Sequence, residues 1–398
     1  MRDFAGKPAP APVWYRPMLA RDREEVHRTA TPLELFFDLC FVVAVAYAAD
    51  GLHHDLAEGH IRHGLLSYPM VFFAIWWAWM NFTWFASAYD PDDDLYRLTT
   101  LVQIAGALVL AAGVPQAFTD GDYRVTTYGY AVMRLAMVTQ WLRVARSDRE
   151  RRPAAIRFAI GVTAVQIGWL GRLALPEGWG ARAFAVLVVA ELAVPLWAER
   201  AAPTTWNRRH IAERYGLFTI IMLGESILAT ALAVQSAIGS GHAMTDLLAV
   251  AGSGAVIVFG MWWLYFDRPV DHLLTSLRVG FLFGYGHYVV FACAAAVGAG
   301  LAVAVDYVTH SAPVSAVAAG YATAVPVAGY LVTVWALHVY PQQRGLTTAA
   351  FPVTAILVLC APLTPAPVPV IAVLMVALVA ATVVTSRSSP GAASEPGD

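Results

Sequence analysis

"MVFFAIWWAWMNFTWFASAYDPDDDLYRL", residues 70–98, sets two chemistries side by side. From Leu65 to Ala88 there is no charged residue, and a helix over that run rises far enough to cross a hydrocarbon core of about 30 Å. Four carboxylates follow at once: Asp90, Asp92, Asp93 and Asp94. The stretch therefore predicts a membrane-spanning helix that ends in a polar turn, and it poses the question of what those carboxylates do there.

The rest of the chain has the same character. It is 58% hydrophobic and 14% charged, with a mean hydropathy of +0.57, against about 45–50% and about 25% for soluble domains. A soluble multidomain protein is excluded, and a net charge of -2 gives no reason to expect a nucleic-acid partner. The pattern predicts an all-α, polytopic helical bundle with the lipid bilayer as its surroundings. Twelve spans are expected, at 32–49, 65–88, 96–118, 125–144, 155–174, 182–198, 210–236, 245–266, 277–304, 313–339, 348–363 and 366–384. The last two flank "APLTPAPVP" and are also compatible with a re-entrant pair.

Organisation along the chain follows from these spans. Residues 1–30 form a cytoplasmic lead-in, 31–199 a first half of six helices, 200–209 a cytoplasmic linker, 210–384 a second half of six helices, and 385–398 a disordered cytoplasmic tail. The outer connections hold only Arg62, Arg124, Arg172 and Arg182, and Arg134 lies within a span. Every other one of the 26 Lys and Arg falls on the inner side if both termini are cytoplasmic, as the positive-inside rule expects. A 6+6 parallel repeat is suggested by "TPLELFFDL" against "HIAERYGLF", which aligns Glu34 with Glu213, and by "IWWAW" against "MWWLYFD", followed by "DPDDD" and "DRPVD". Cys40, Cys293 and Cys360 lie in apolar runs without metal-ligand spacing, and read as small buried residues.

Four segments carry a resemblance: "LELFFDLCFVVAVA" at 33–46, "ERYGLFTIIMLGESI" at 213–227, "MWWLYFD" at 261–267 and "GYGHYVVFACAAAVGAG" at 284–300. They are similar to the bacterial low temperature requirement A family over about residues 28–385. The resemblance implies a multi-pass protein of the bacterial inner membrane, and it brings no defined chemistry with it.

Function is therefore read from ionisable residues in the spans, each costly in hydrocarbon and so expected to face the bundle interior or a watery cavity. Glu34 and Asp38 share a face near the start of the first span, where they either cap the helix or take part in binding. Glu213 opens the seventh span, and Glu225 lies about 18 Å further along it. Glu191, Arg134 and His287 fall near the middle of spans six, four and nine. Arg134 is expected to pair with Glu191 or Glu225, either as a packing lock or as part of a coupling site. Trp76, Trp77, Trp79, Trp84, Trp262 and Trp263 are packing or interface anchors, or alternatively line an aromatic cavity.

Two functions fit. The first is a secondary transporter or proton-coupled permease for a small solute or ion, without a cofactor, in which Glu34, Asp38, Arg134, Glu191, Glu213, Glu225 and His287 bind or couple. The second is an intramembrane enzyme in which Asp90 and Asp94, with Asp267 and Asp271, hold Mg²⁺ against a prenyl or similar lipid diphosphate. The same acidic turns also read as ordinary solvated loops. No GxxxxGK[ST] loop, HExxH helix or GxSxG elbow is present, which argues against ATP-driven transport by this chain alone and against standard hydrolysis.

Overall fold

A computed structural model of the chain describes residues 13–23, 25, 28–176, 178–238, 244–342 and 346–387. Much of the lead-in (1–12, 24, 26 and 27) and residues 388–398 of the tail lie outside the described residues. Twelve α-helices carry the fold: α1 Pro32–Ala57, α2 Ile61–Ala88, α3 Asp94–Thr119, α4 Arg124–Ser147, α5 Arg152–Arg172, α6 Gly180–Glu199, α7 Arg208–Ile238, α8 Met244–Phe266, α9 Leu277–Val308, α10 Ala316–Val334, α11 Leu346–Cys360 and α12 Pro367–Arg387. There is no strand among the described residues.

Local sequence explains where several helices begin. Thr31 and Glu34 form a reciprocal cap on α1: the Thr31 N–H donates to Glu34 Oε2 at 2.7 Å, the Glu34 N–H donates to Thr31 Oγ1, and Pro32 occupies the first turn. Asp93 caps α3 by accepting from the Tyr96 N–H, and Ser276 and Ser315 do the same for α9 and α10.

Among the described residues, ten helices are long and apolar enough to cross a membrane. The two others have physical reasons for falling short. In α4, Arg134, Gln140 and Arg143 interrupt the apolar surface, and α11 has only 15 residues, a rise of about 22 Å. Burial is arranged for an apolar solvent. Glu34, Asp38, Asp93, Arg134, Glu191 and His287 are buried, while Leu135, Val186, Leu282 and Val373 are 64–68% exposed. The chain is an all-helical membrane protein. The cysteines correct the sequence reading, since Cys40 and Cys293 are half-buried and Cys360 lies exposed on α11; a thiol on a lipid-facing surface is as apolar a choice as one in a core.

The chain forms two compact units: Met1–Ala44 with Trp77–Ile211, and Val45–Trp76 with Ala212–Asp398. In the first unit α3 packs on α4, α4 on α5 and α5 on α6; in the second, α9 packs on α10 and α8 on α12. The α3–α4 crossing is made by glycine. A Cβ on Gly129 would lie 2.3 Å from the Leu110 nitrogen and 2.6 Å from the Gly106 oxygen, both backbone atoms. Small residues of this kind drive helix association where no hydrophobic effect is available.

Gly129→Ala should therefore lower stability by about 1–3 kcal/mol, the usual range for overpacking. Gly252→Ala in α8, where a Cβ would meet nothing within 4 Å, should be neutral or slightly stabilising. Thermal unfolding of both variants in detergent checks this. Equal melting temperatures would show that the α3–α4 contact does not set stability.

Candidate functional site

The four aspartates of the opening stretch have separate jobs, all within the first unit. Asp93, besides capping α3, accepts from the Arg16 N–H at 2.7 Å and from Arg143 Nη2 at 2.5 Å. Asp90 is buried, with Arg28 Nη2 at 3.3 Å and Arg21 Nη1 at 3.9 Å. Asp92 adopts a left-handed backbone (φ 47°) and pairs with Arg97 at the exposed surface. Asp94 occupies the first turn of α3, where a carboxylate faces the positive end of the helix dipole.

Residues 13–23 and 25 lie as a strap over this loop. Val13 and Trp14 carbonyls accept from the Asp94 and Leu95 N–H groups, the Arg21 N–H donates to the Ala88 carbonyl, and Asn207 Nδ2 donates to the Arg23 and Glu25 carbonyls. Arg28 sits at the centre. Its Nη2 donates to Glu34 Oε1 at 3.1 Å and to the Ala86 carbonyl, and His210 Nε2 lies 3.1 Å from the same Glu34 oxygen. Glu34 thus both caps α1 and joins a buried charge cluster, and Arg28 and His210 are partners that sequence reasoning did not single out. Burial, reinforced by the nearby Glu34 carboxylate, pushes the Asp90 carboxyl up to about 6 against the pull of Arg28 and Arg21.

Asp38, one turn beyond Glu34, accepts from Trp79 Nε1 at 2.6 Å. The indole is a hydrogen-bond donor to a buried acid, a role more specific than the packing or cavity readings given to the tryptophans. The pattern repeats at Glu191. Its Oε1 accepts from Tyr130 Oη at 2.8 Å and Trp169 Nε1 at 3.0 Å; its Oε2 accepts from Trp77 Nε1 at 2.8 Å and from Arg134 Nη2. Of the two partners expected for Arg134, Glu191 is the one it meets. The guanidinium also lies 5.0 Å from the Tyr130 ring centre, while its Nε and Nη1 find no hydrogen-bond partner among the described residues. Helices α2, α4, α5 and α6 are joined at this one carboxylate. Trp262 and Trp263, by contrast, are 46% and 44% exposed on α8.

In the second unit, Glu213 sits half-buried in the first turns of α7. Three turns on, Glu225 is 7% exposed, and its carboxylate forms no hydrogen bond or ion pair among the described residues. The neighbouring Gly224 faces open space. His287 of α9 is buried and bonded to Tyr265 of α8. Asp267 pairs with Arg268 at 3.2 Å, and Asp271 opens a short 3₁₀ turn, Asp271–Leu273. The diphosphate-enzyme reading finds no support in this arrangement. Asp90 is committed to guanidinium groups, and no three His, Cys, Asp or Glu side chains gather as metal ligands among the described residues.

Two outcomes test these assignments. Arg134→Met and Glu191→Gln should each cost on the order of 3–5 kcal/mol, the penalty for stranding a buried charge. The double variant should recover part of that loss, because neither charge is then left stranded and the Gln oxygen still accepts from the donors on one side of the site; strictly additive losses in a double-mutant cycle would refute the lock. For Asp90, a carboxyl held near 6 in the fold and near 3.8 when unfolded takes up a proton on folding between those values. Its contribution is most favourable below pH about 4 and is lost as pH rises through about 6, by up to roughly 3 kcal/mol. Melting temperatures of Asp90→Asn relative to wild type should accordingly improve from pH 4.5 to pH 7.5, and a pH-independent difference would overturn the assignment.

Uncharacterized protein RA0937 of Rhizobium meliloti (strain 1021) is 28% identical over 289 residues, 64% of this chain and 64% of that relative's length. No solved structure matches. The family model described as bacterial low temperature requirement A protein (LtrA) matches residues 29–385, nearly the whole run of spans and motifs, and the chain belongs to that family.

Proposed function

We propose that this chain is a secondary transporter of the bacterial inner membrane, moving a small solute or ion with proton coupling, and that Glu225 is the coupling carboxylate. The observation that carries the reading is the contrast between two buried glutamates. Glu191 has all its acceptor capacity filled by four donors. Glu225 has none filled among the described residues. A carboxylate held in a membrane span without a partner is either protonated or waiting for a cation, and its state changes when one arrives.

The same reading places both termini in the cytoplasm, treats 31–199 and 210–384 as two six-helix halves related as a parallel repeat, and needs no cofactor. Glu213, as the counterpart of Glu34, is assigned to the inner end of the path. His287 belongs to the polar interior of the second unit. The Arg134–Glu191 lock holds scaffold helices and does not itself exchange protons.

Proteoliposomes containing a trapped pH indicator, challenged with a panel of small organic solutes and inorganic ions, test the coupling. Wild type should move protons with at least one solute. Glu225→Gln, which keeps the shape of a protonated Glu but cannot release a proton, should abolish that movement while leaving the melting temperature within a few degrees. Asp94→Asn with Asp271→Asn should retain most of it, since solvated charges contribute little. Wild-type flux in Glu225→Gln would sink the assignment. Reporter fusions after residues 121 and 150 should read outside and inside respectively, and the reverse would invert the proposed orientation.

A further inference from the structure

Several polar groups in the second unit are not used by the transport reading. His287 Nδ1 lies 2.7 Å from the Phe283 carbonyl, so this nitrogen carries the proton and Nε2 is the acceptor. Tyr265 Oη donates to that Nε2 at 2.9 Å, and Thr219 of α7 reaches the same phenol. His338 lies against the pair, its ring centre 4.5 Å from Tyr265 and 5.5 Å from His287.

His338 is unusual in two independent ways. It is 2% exposed, and neither of its ring nitrogens has a hydrogen-bond partner among the described residues. The Tyr265 main chain is close by but meets neither nitrogen in hydrogen-bond geometry. The backbone beneath it is also irregular. After α10 the chain passes through a π-turn, Trp335–Val339, in which the Tyr340 N–H donates five residues back to the Trp335 carbonyl at 2.8 Å. Such turns sacrifice regular helix bonding and recur at functional sites. A buried imidazole with two unmet nitrogens on a π-turn is poor scaffolding, because one apolar residue would fill the space at lower cost.

We propose that His338 is a proton-carrying site that exchanges with His287 through Tyr265. Neutral His338 takes a proton on its free nitrogen and becomes an imidazolium. After a turn of the imidazole that brings its other N–H onto the Tyr265 oxygen, to which neither nitrogen is bonded in this arrangement, it passes that proton to the oxygen as Tyr265 hands its own hydroxyl proton to His287 Nε2. The phenol is unchanged, His338 is neutral again with its tautomer inverted, and the charge now rests on His287, whose Nδ1 proton stays with Phe283. Tyr265 from α8 and His287 from α9 are the titratable groups facing His338. Tyr215 of α7 lies against the His287 ring with a centroid distance of 4.8 Å. No carboxylate or guanidinium is hydrogen-bonded to or ion-paired with either imidazole among the described residues. Two cations 5.5 Å apart without a counter-charge repel strongly, so the pair holds one proton at a time. This site stands apart from Glu225 and does not depend on its role.

The test is solid-state NMR of the full chain, labelled with ¹⁵N-histidine and reconstituted in lipid bilayers, followed from about pH 8 to about pH 4. His287 and His338 signals are assigned by their loss in His287→Gln and His338→Gln, with His338→Asn as the substitute should the glutamine variant fail to fold. The expected result is a single imidazolium transition spread over both residues. In the His338 variant the His287 transition should move at least threefold in proton concentration, and in Tyr265→Phe His338 should titrate without a matching change at His287. Neutral signals from both residues throughout, or two transitions each indifferent to loss of the other residue, would overturn the proposal. Glu225→Gln should leave these spectra unchanged, so failure of the transport reading and failure of this one are told apart.

Discussion

A carboxylate removed from water must be met by donors, and in this chain Glu191 is met by four. The tryptophans make that possible without adding charge. An indole supplies one N–H and a large apolar body, so it can satisfy an acid while presenting hydrocarbon to its other neighbours. Trp77 and Trp169 do this at Glu191, and Trp79 does it at Asp38. Arg134 alone could neutralise Glu191, but one guanidinium nitrogen cannot fill four lone pairs, and a half-satisfied buried ion pair costs more than an apolar core. The convergence of α2, α4, α5 and α6 on one side chain follows from that requirement.

The acidic turn after α2 obeys the same rule at the edge of the membrane. Asp93 is paired by Arg143 and main-chain N–H groups, and Asp90 by Arg28 and Arg21. Two of these cations come from the segment before α1, which helps hold the described part of that segment, residues 13–23 and 25, against the loop as a strap. Asp90 is the weak member. Its burial outweighs its partners, so the strap is fastened to a group that changes charge within the physiological range.

How much of this the sequence could carry depends on the range of the interaction. The spans were legible because hydrophobicity is summed over some twenty residues and survives local noise; Glu34 could be placed as a possible cap by its position at the start of the first span, but its partner Thr31 was not singled out. The Arg134–Glu191 pair could be anticipated from depth alone, since a charge at that level needs an opposite one and few were on offer. The remaining partners were not legible. Arg28 and His210 come from segments that look like ordinary polar flanks, and a tryptophan that donates to an acid has the same composition signal as one that packs. His338 gave no sign at all, since a π-turn is set by how α10 fits its neighbours and a single histidine in "WALHVYP" is unremarkable by pattern.

The sites separate into two kinds by whether their polar atoms are satisfied. Asp38, Asp93 and Glu191 are met by donors: Asp38 by Trp79 of α2, Asp93 by the strap and by α3 and α4, and Glu191 by four groups of α2, α4 and α5. Glu225 and His338 are open, and each has an irregularity beside it, Gly224 facing empty space in one case and the π-turn in the other. An open polar group in a low-dielectric interior is destabilising in isolation, and under the roles proposed for Glu225 and His338 each is met for part of the time by a ligand. A proton is the smallest species able to do so, and it suits both groups. It neutralises an acid that has no cation and charges an imidazole that has no acceptor, adding one positive charge in each case, so the proposed roles of both groups rest on the same ligand.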